Sequence, residues 1–164
     1  MCGICGIIDY RQGSKIDLSV INNMCSRMIH RGPDSAGTYV ENNYSPVVGF
    51  GHRRLKIIDL SASAHQPMPN EDMTIWVVFN GEIYNFQELR KTLLDKGHKF
   101  ISHSDTEAII HLYEEEGIDC IKKLRGMFAL AIWDRDNKSL LLARDRFGKK
   151  PLLYSFRDGI FSFA

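Results

Sequence analysis

No stretch of this sequence approaches the roughly 20 consecutive apolar residues of a membrane span, and its start lacks the charged and apolar regions of a secretion signal. A dominant charge is missing too. Lys and Arg number 21 against 20 Asp and Glu, for a net charge of +1, with no long run of either sign. Neither nucleic acid nor a membrane surface is expected as a partner. Cysteine is scarce: Cys2, Cys5, Cys25 and Cys120 are too few and too scattered for a secreted disulfide scaffold. The C-x-x-C at 2–5 has no second C-x-x-C or paired histidines to complete a zinc site. The six histidines show no metal-ligand spacing such as H-E-x-x-H. Repeats, low-complexity tracts and internal linkers are absent. These exclusions leave a cytoplasmic protein with reduced thiols. Its 164 residues, 44% hydrophobic and 25% charged, suffice for one globular domain with a sizeable core.

What is present begins at the N-terminus, with Met1-Cys2-Gly3-Ile4-Cys5-Gly6. If Met1 is removed, Cys2 carries a thiol and a free α-amine, and the amine's reference pKa of about 7.7–8.0 makes it a usable base. A nucleophile and a base within reach of each other are what covalent catalysis requires. The competing reading is that Cys2 merely opens an edge strand. Residues 2–9 read as a buried, central strand. Residues three apart in a strand face opposite sides, so Cys2 and Cys5 should be separated, which argues against a shared metal or redox role.

Further along, Leu18, Ile21, Met24, Cys25 and Met28 mark a helix capped by Asp17. It is expected to stop at Arg31-Gly32-Pro33-Asp34, with glycine left-handed and proline blocking continuation. Strands are expected over 37–40 and 47–55, with Ile57 and Ile58 continuing the apolar material into a loop at 61–70. Residues 73–79 give the strongest strand signal and run into Asn80-Gly81. That pair is either a tight hairpin turn or shaped for something else, since only three residues follow before a helix. Asn85 with Glu88, and Ser104 with Glu107, have the capping-box pattern, and a short strand is expected between their helices at 98–102. A short helix at 118–124 precedes an antiparallel meander over 127–133, 140–143, 152–156 and 160–163. The order of elements implies an α+β layered architecture of two sheets with helices packed on them. The final strand pattern breaks off without a turn, as in a fragment of a longer protein.

Several segments occur together in one order: Met-Cys-Gly-Ile at 1–4, His30-Arg31-Gly32-Pro33-Asp34, Arg54-Leu55, Gln66-Pro67, Asn80-Gly81-Glu82-Ile83-Tyr84-Asn85, Ser104-Asp105-Thr106-Glu107 and the run from Arg144 to Leu152. Over essentially the whole chain they resemble the N-terminal class II (Ntn-type) glutamine amidotransferase domain of glutamine-hydrolysing asparagine synthetases. The resemblance implies a four-layer αββα sandwich of two antiparallel sheets, and residues 1–164 as one glutaminase domain, truncated at its C-terminal end.

It also implies roles. Cys2 would be the nucleophile, with its α-amine as general base through water, and Asn80 and Gly81 would form the oxyanion hole. Arg54 would bind the glutamine α-carboxylate as a planar fork. Asp105 would take the α-ammonium with Glu82 beside it, and Leu55 and Ile57 would line the substrate. Arg31 is expected near the nucleophile. No metal and no cofactor is implied for glutamine hydrolysis. A C-terminal synthetase domain using ATP and Mg2+ to make asparagine from aspartate, and a second copy of the chain in a homodimer, are the implied partners. The Ser-Gly-Gly-x-Asp-Ser signature of that domain is absent here. Three alternatives stay open: a related amidotransferase with another acceptor, a silent glutamine-binding domain, and a metal or redox module built on the C-x-x-C.

Overall fold

The computed structural model describes residues 1–57, 59 and 61–164; Ile58, expected to continue the apolar material, lies outside them. Two antiparallel sheets face each other. The first has the order β2-β3-β1-β9-β8, from β1 (Gly3–Asp9), β2 (Ser35–Glu41), β3 (Val47–Arg54), β8 (Tyr154–Arg157) and β9 (Ile160–Phe163). The second has the order β4-β5-β6-β7, from β4 (Met68–Pro69), β5 (Ile75–Ile83), β6 (Gly126–Asp134) and β7 (Ser139–Arg144). As expected, β1 is central, flanked by β3 and β9.

Strand alternation divides the apolar residues into three layers. Ile4, Ile8, Val48, Phe50, Val78, Ala129, Ala131, Trp133 and Phe163 fill the space between the sheets. The opposite face of the first sheet buries Cys5 and Val47 with Ile21 and Cys25 of α1 (Leu18–Arg27). The opposite face of the second sheet buries Val77, Phe79, Ile83, Phe128, Leu130 and Ile132 against α2 (Phe86–Asp95) and α3 (Asp105–Glu116). The result is the αββα sandwich, with a short α4 (Cys120–Lys123) after α3.

Several local expectations are corrected. Asn80 and Gly81 make no hairpin turn; both lie inside β5, paired with Ala129 and Phe128. Residues 98–102 form no strand, because their amides are taken by a side chain: Glu107 accepts from the Ile101 and Ser102 N–H groups, each at 2.7 Å. Ser104 does cap α3, accepting from Thr106 N–H at 3.0 Å, but Glu107 is thus diverted from a capping box. Asn85 makes no cap bond; its side chain bridges the Lys123 carbonyl and the Arg125 N–H, at 3.0 and 2.9 Å. The first helix ends at Arg27, earlier than its sequence stop. Gly32 is not left-handed; it is glycine because a Cβ there would meet the Arg53 backbone at 2.4 Å. The first strand of the second sheet's central pair starts at Ile75, since Met73 has a φ of 56°. The last four strands form no single meander: β6 and β7 pair in the second sheet and β8 and β9 in the first, with the chain crossing from one sheet to the other over 145–153. The third of them runs over Tyr154–Arg157, starting two residues later than its pattern suggests.

Phe50 is fully buried between the sheets and meets Phe163 edge to face at 5.5 Å. Phe50→Ala is expected to cost about 3–5 kcal/mol of folding stability through lost transfer energy and a residual cavity. Urea unfolding of the two proteins measures it.

Candidate active site

The antiparallel register of β1 and β3 pairs Gly3 with Arg53. The residues just beyond, Cys2 before β1 and Arg54-Leu55 at the end of β3, therefore fall together at one end of the sandwich. Cys2 continues the inward face of β1 begun by Ile8 and Ile4, and Asn80 continues the inward face of β5 begun by Val78. Two chain segments distant in sequence thus deliver a thiol and an amide to the same opening between the sheets.

That opening is a cleft of about 160 Å³, and it is lined by Cys2, Arg54, Leu55, Ile57, Asn80, Gly81, Glu82 and Asp105 among others. The Cys2 sulfur rests on the Leu55 backbone: the Leu55 N–H donates to Sγ at 3.3 Å, and the thiol reaches the Leu55 carbonyl at 3.6 Å. Arg31 Nε donates to the Cys2 carbonyl at 3.1 Å and so fixes the residue from its other side. Cys5 has no access to this cleft. It is buried under α1, where Cys25 and burial push its thiol up and keep it protonated and unreactive. The two ends of the C-x-x-C face opposite sides of the sheet, as strand periodicity requires.

The backbone of β5 supplies the next feature. β4 contains only Met68 and Pro69, which pair with Val77 and Trp76. The edge of β5 beyond Val77 is consequently left without a neighbouring strand. Side chains occupy it. Gln66 Oε1 accepts the Phe79 N–H at 2.6 Å, and Asp105 Oδ2 accepts the Ile83 N–H at 3.0 Å. Alternate strand residues present their amides to the same edge, so the Gly81 N–H lies between these two and faces the cleft. Glycine is required there by close approach, because a Cβ would meet the Met127 carbonyl oxygen at 2.2 Å.

His52 supports the strand that carries Asn80. It is buried, and burial brings its imidazole down to about 3, so it is neutral. Its Nε2 lies 3.1 Å from the Phe79 carbonyl, which only accepts; the proton is therefore on Nε2, and the bond ties the first sheet to the second. The far wall holds the charged groups. Arg54 is buried and donates to the carbonyls of Asp59 and Ser61, the latter at 3.0 Å; among the described residues its other guanidinium donors are unspent. Asp59 is brought down to about 2 by the Ser61 hydroxyl and by the amides of Ser61 and His103. Asp105 moves the other way: burial raises its carboxyl to about 6, against the lowering effect of the Ile83 N–H. At neutral pH it is ionised, yet poised to gain from a cation placed beside it.

A family model described as "Glutamine amidotransferase domain" matches residues 1–164. The chain belongs to this family. Among similar proteins, this glutamine amidotransferase domain is 42% identical to "Asparagine synthetase [glutamine-hydrolyzing] 2" of Bacillus subtilis (strain 168), over 94% of this chain and 20% of that protein. It is 44% identical to "Asparagine synthetase [glutamine-hydrolyzing] 1" of Arabidopsis thaliana, over 93% and 25%, and 39% identical to "Amidase chry2" of Gibberella zeae, over 94% and 24%. The chain thus spans about a fifth to a quarter of the length of these relatives. A solved glutamine phosphoribosylpyrophosphate amidotransferase from B. subtilis shares the fold at a TM-score of 0.77 with 18% identity, over 98% of this chain and 41% of that one.

The cleft of the amidotransferase domain also contains residues to which sequence reasoning gave no role there: Gln66, Asp59, Lys150 and Met1. Gln66 had a readable signal in the Gln66-Pro67 pair, one of the segments that occur in family order. Lys150 lies in the basic, glycine-containing run from Arg144 to Leu152, which by itself reads as a turn between strands. Gln66→Ala is expected to leave the Phe79 N–H and Thr106 Oγ1 without their partner and to cost about 1–3 kcal/mol of stability, as read by urea denaturation.

Proposed function

We propose that the chain hydrolyses L-glutamine to L-glutamate and ammonia through Cys2, after loss of Met1. The observation that carries this is the convergence of a thiol, a side-chain amide, an edge-strand N–H, a guanidinium and a buried carboxylate on one cleft. The Cys2 α-amine takes the thiol proton through water, and Sγ bonds to the glutamine amide carbon. Asn80 Nδ2 and the Gly81 N–H donate to the oxyanion, a pair of contacts that typically contribute a factor of about 100–1,000 each. The C–N bond then breaks as ammonia leaves with the proton held by the amine. Water cleaves the γ-glutamyl thioester and regenerates the thiol. Arg54 takes the α-carboxylate with its unspent donors, Asp105 the α-ammonium, Glu82 lines the same end, and Leu55 and Ile57 flank the substrate. Met1 itself lies in the cleft, so its removal both creates the base and opens space. No cofactor is required for this half-reaction.

In the complete protein we assign the ammonia to a C-terminal synthetase domain using ATP and Mg2+, with aspartate as the acceptor; 42–44% identity to proteins named asparagine synthetases favours that acceptor. Identity to the protein named an amidase supports the second reading, an amidotransferase with a different acceptor. Residues 1–164 then form part of its glutaminase domain. The four free cysteines fit a reducing compartment, and we place the protein in the cytoplasm. No helix of the described residues is long and apolar enough to cross a membrane.

Cys2→Ala is expected to abolish glutaminase turnover, whereas Cys5→Ala retains it. Mass spectrometry of the active protein should find Met1 absent. Equal loss in both variants, or turnover without Cys2, refutes the scheme.

The raised Asp105 sets a pH dependence. Its carboxylate pairs with the glutamine ammonium only when ionised, so binding is full above about pH 6 and weakens as pH falls through that value. Calorimetry with Cys2→Ala protein should show the glutamine Kd rising about tenfold per pH unit below 6. In the same background Asp105→Asn should bind weakly and without this dependence.

A further inference from the structure

The end of α3 remote from the cleft gathers side chains that glutamine hydrolysis does not use. Asp105 opens the helix at the cleft, and Glu114 lies about 13 Å further along its axis. There, one donor atom from each of His98, His111 and Glu114 lies within 4.8 Å of the other two. Among the described residues this is the one such meeting of three metal-ligating groups. His111 and Glu114 are three apart on α3 and share a face. His98 follows Gly97, which leaves α2 with a φ of 100°, and its N–H donates to the Leu93 carbonyl at 3.1 Å. The backbone positions of all three are thus fixed before any ion arrives.

The bonding pattern gives each of the three an inner and an outer atom. Nδ1 of His98 and Nδ1 of His111 both face Oε2 of Glu114, at 3.5 and 2.8 Å. Outward, His98 Nε2 meets Glu115 Oε1 at 3.1 Å, and Lys96 pairs with the other Glu115 oxygen. His111 Nε2 faces Glu107 Oε1 at 3.9 Å, and Glu114 Oε1 accepts from Asn70 at 2.9 Å. Histidines that bind metal characteristically give their second nitrogen to a carboxylate, which sets tautomer and ring angle. Here each ring has its own carboxylate for that purpose. Phe100 packs edge-on against His111 at 4.7 Å and limits its rotation. Protons alone would engage all these carboxylates only by charging both rings, whose centroids are 4.7 Å apart. One dication among the inner atoms removes that conflict, because each ring then keeps a single proton on Nε2.

We propose that His98, His111 and Glu114 bind a zinc ion that clips the segment leaving α2 to α3. Two imidazoles and a carboxylate suit zinc, whereas magnesium and calcium prefer oxygen ligands. Zinc bonds of about 2.0–2.2 Å set the donors of a tetrahedron about 3.4 Å apart. Small turns of the Glu114 carboxylate reach that spacing, and water takes the fourth position. The side chains of His98 and Glu114 are 17% and 21% exposed, against 3% for His111, so the ion enters from solvent past His98. Burial opposes a charge on His111, but Glu107 and Glu114 outweigh it and hold the imidazole up to about 9. Zinc has to displace that proton, so binding is measured at pH 8.

The test uses Cys2→Ala protein freed of metal by a chelator, which removes the cleft thiol as a competing ligand. Calorimetry with zinc chloride should show one site per chain with a micromolar or tighter Kd. Zinc should also raise the Tm, and magnesium should not. His98→Ala is expected to lose both the site and the Tm rise, and Glu114→Gln replaces it if that variant folds poorly. Glu115→Gln should weaken zinc about 10–100-fold by releasing the His98 ring. Cobalt(II) in place of zinc should give the visible absorption of a tetrahedral site, lost in the same variants. Absence of stoichiometric zinc would overturn the proposal, and so would a magnesium effect equal to that of zinc. Zinc bound equally well by His98→Ala and Glu114→Gln proteins would also overturn it, placing the ion on other ligands such as Cys5 and Cys25.

Discussion

Past the two residues of β4, strand β5 runs with an unpaired edge, and the amides along that edge have to be satisfied by something. A buried backbone N–H without a partner is costly, so the fold supplies Gln66 at Phe79 and Asp105 at Ile83. The amide between them, at Gly81, faces a cleft and has no acceptor among the described residues. One short strand therefore creates a donor that is both fixed in position and free to bind.

The same edge places the electrostatics. Asp105 is at once the partner of a β5 amide, the first residue of α3 and a wall of the cleft. Burial raises its carboxyl while the Ile83 N–H and the helix start favour its ionised form. It sits near the balance point of these effects, where an added cation changes its protonation most. His52 is neutral by burial and fastens the Phe79 carbonyl to the first sheet. Phe79, the residue before Asn80, is thus bonded through both its N–H and its carbonyl. The rigidity that the proposed oxyanion site would need comes from these two side chains as well as from the ladder to β6.

Much of this was legible in the sequence. The apolar alternation of 2–9 placed β1 and correctly put Cys2 and Cys5 on opposite faces, and the spacing of Leu18 to Cys25 gave α1 with its Asp17 cap. The ordered motifs pointed to the family and to the residues that the cleft gathers. What failed was the reading of polar side chains from short patterns. Asn85 and Glu107 have the spacing of capping boxes, yet each bonds a nearby loop instead. A capping pattern records which bond is available to a side chain, and the competing loop amides are invisible to it. Gly32 failed for a related reason: its need is the passing Arg53 backbone, not a positive φ.

The sequence by itself determined the periodic elements, the layered class and the residue types from which a glutaminase site is made, because these depend on neighbours a few positions away. Only the tertiary structure decided that β5 passes straight through Asn80-Gly81, that β4 stops short beside it, and that Cys2 and Leu55 meet. Those outcomes follow from strand pairing and register between segments far apart in the chain. The open edge at Gly81 belongs to the same category, since it depends on where β4 stops beside β5.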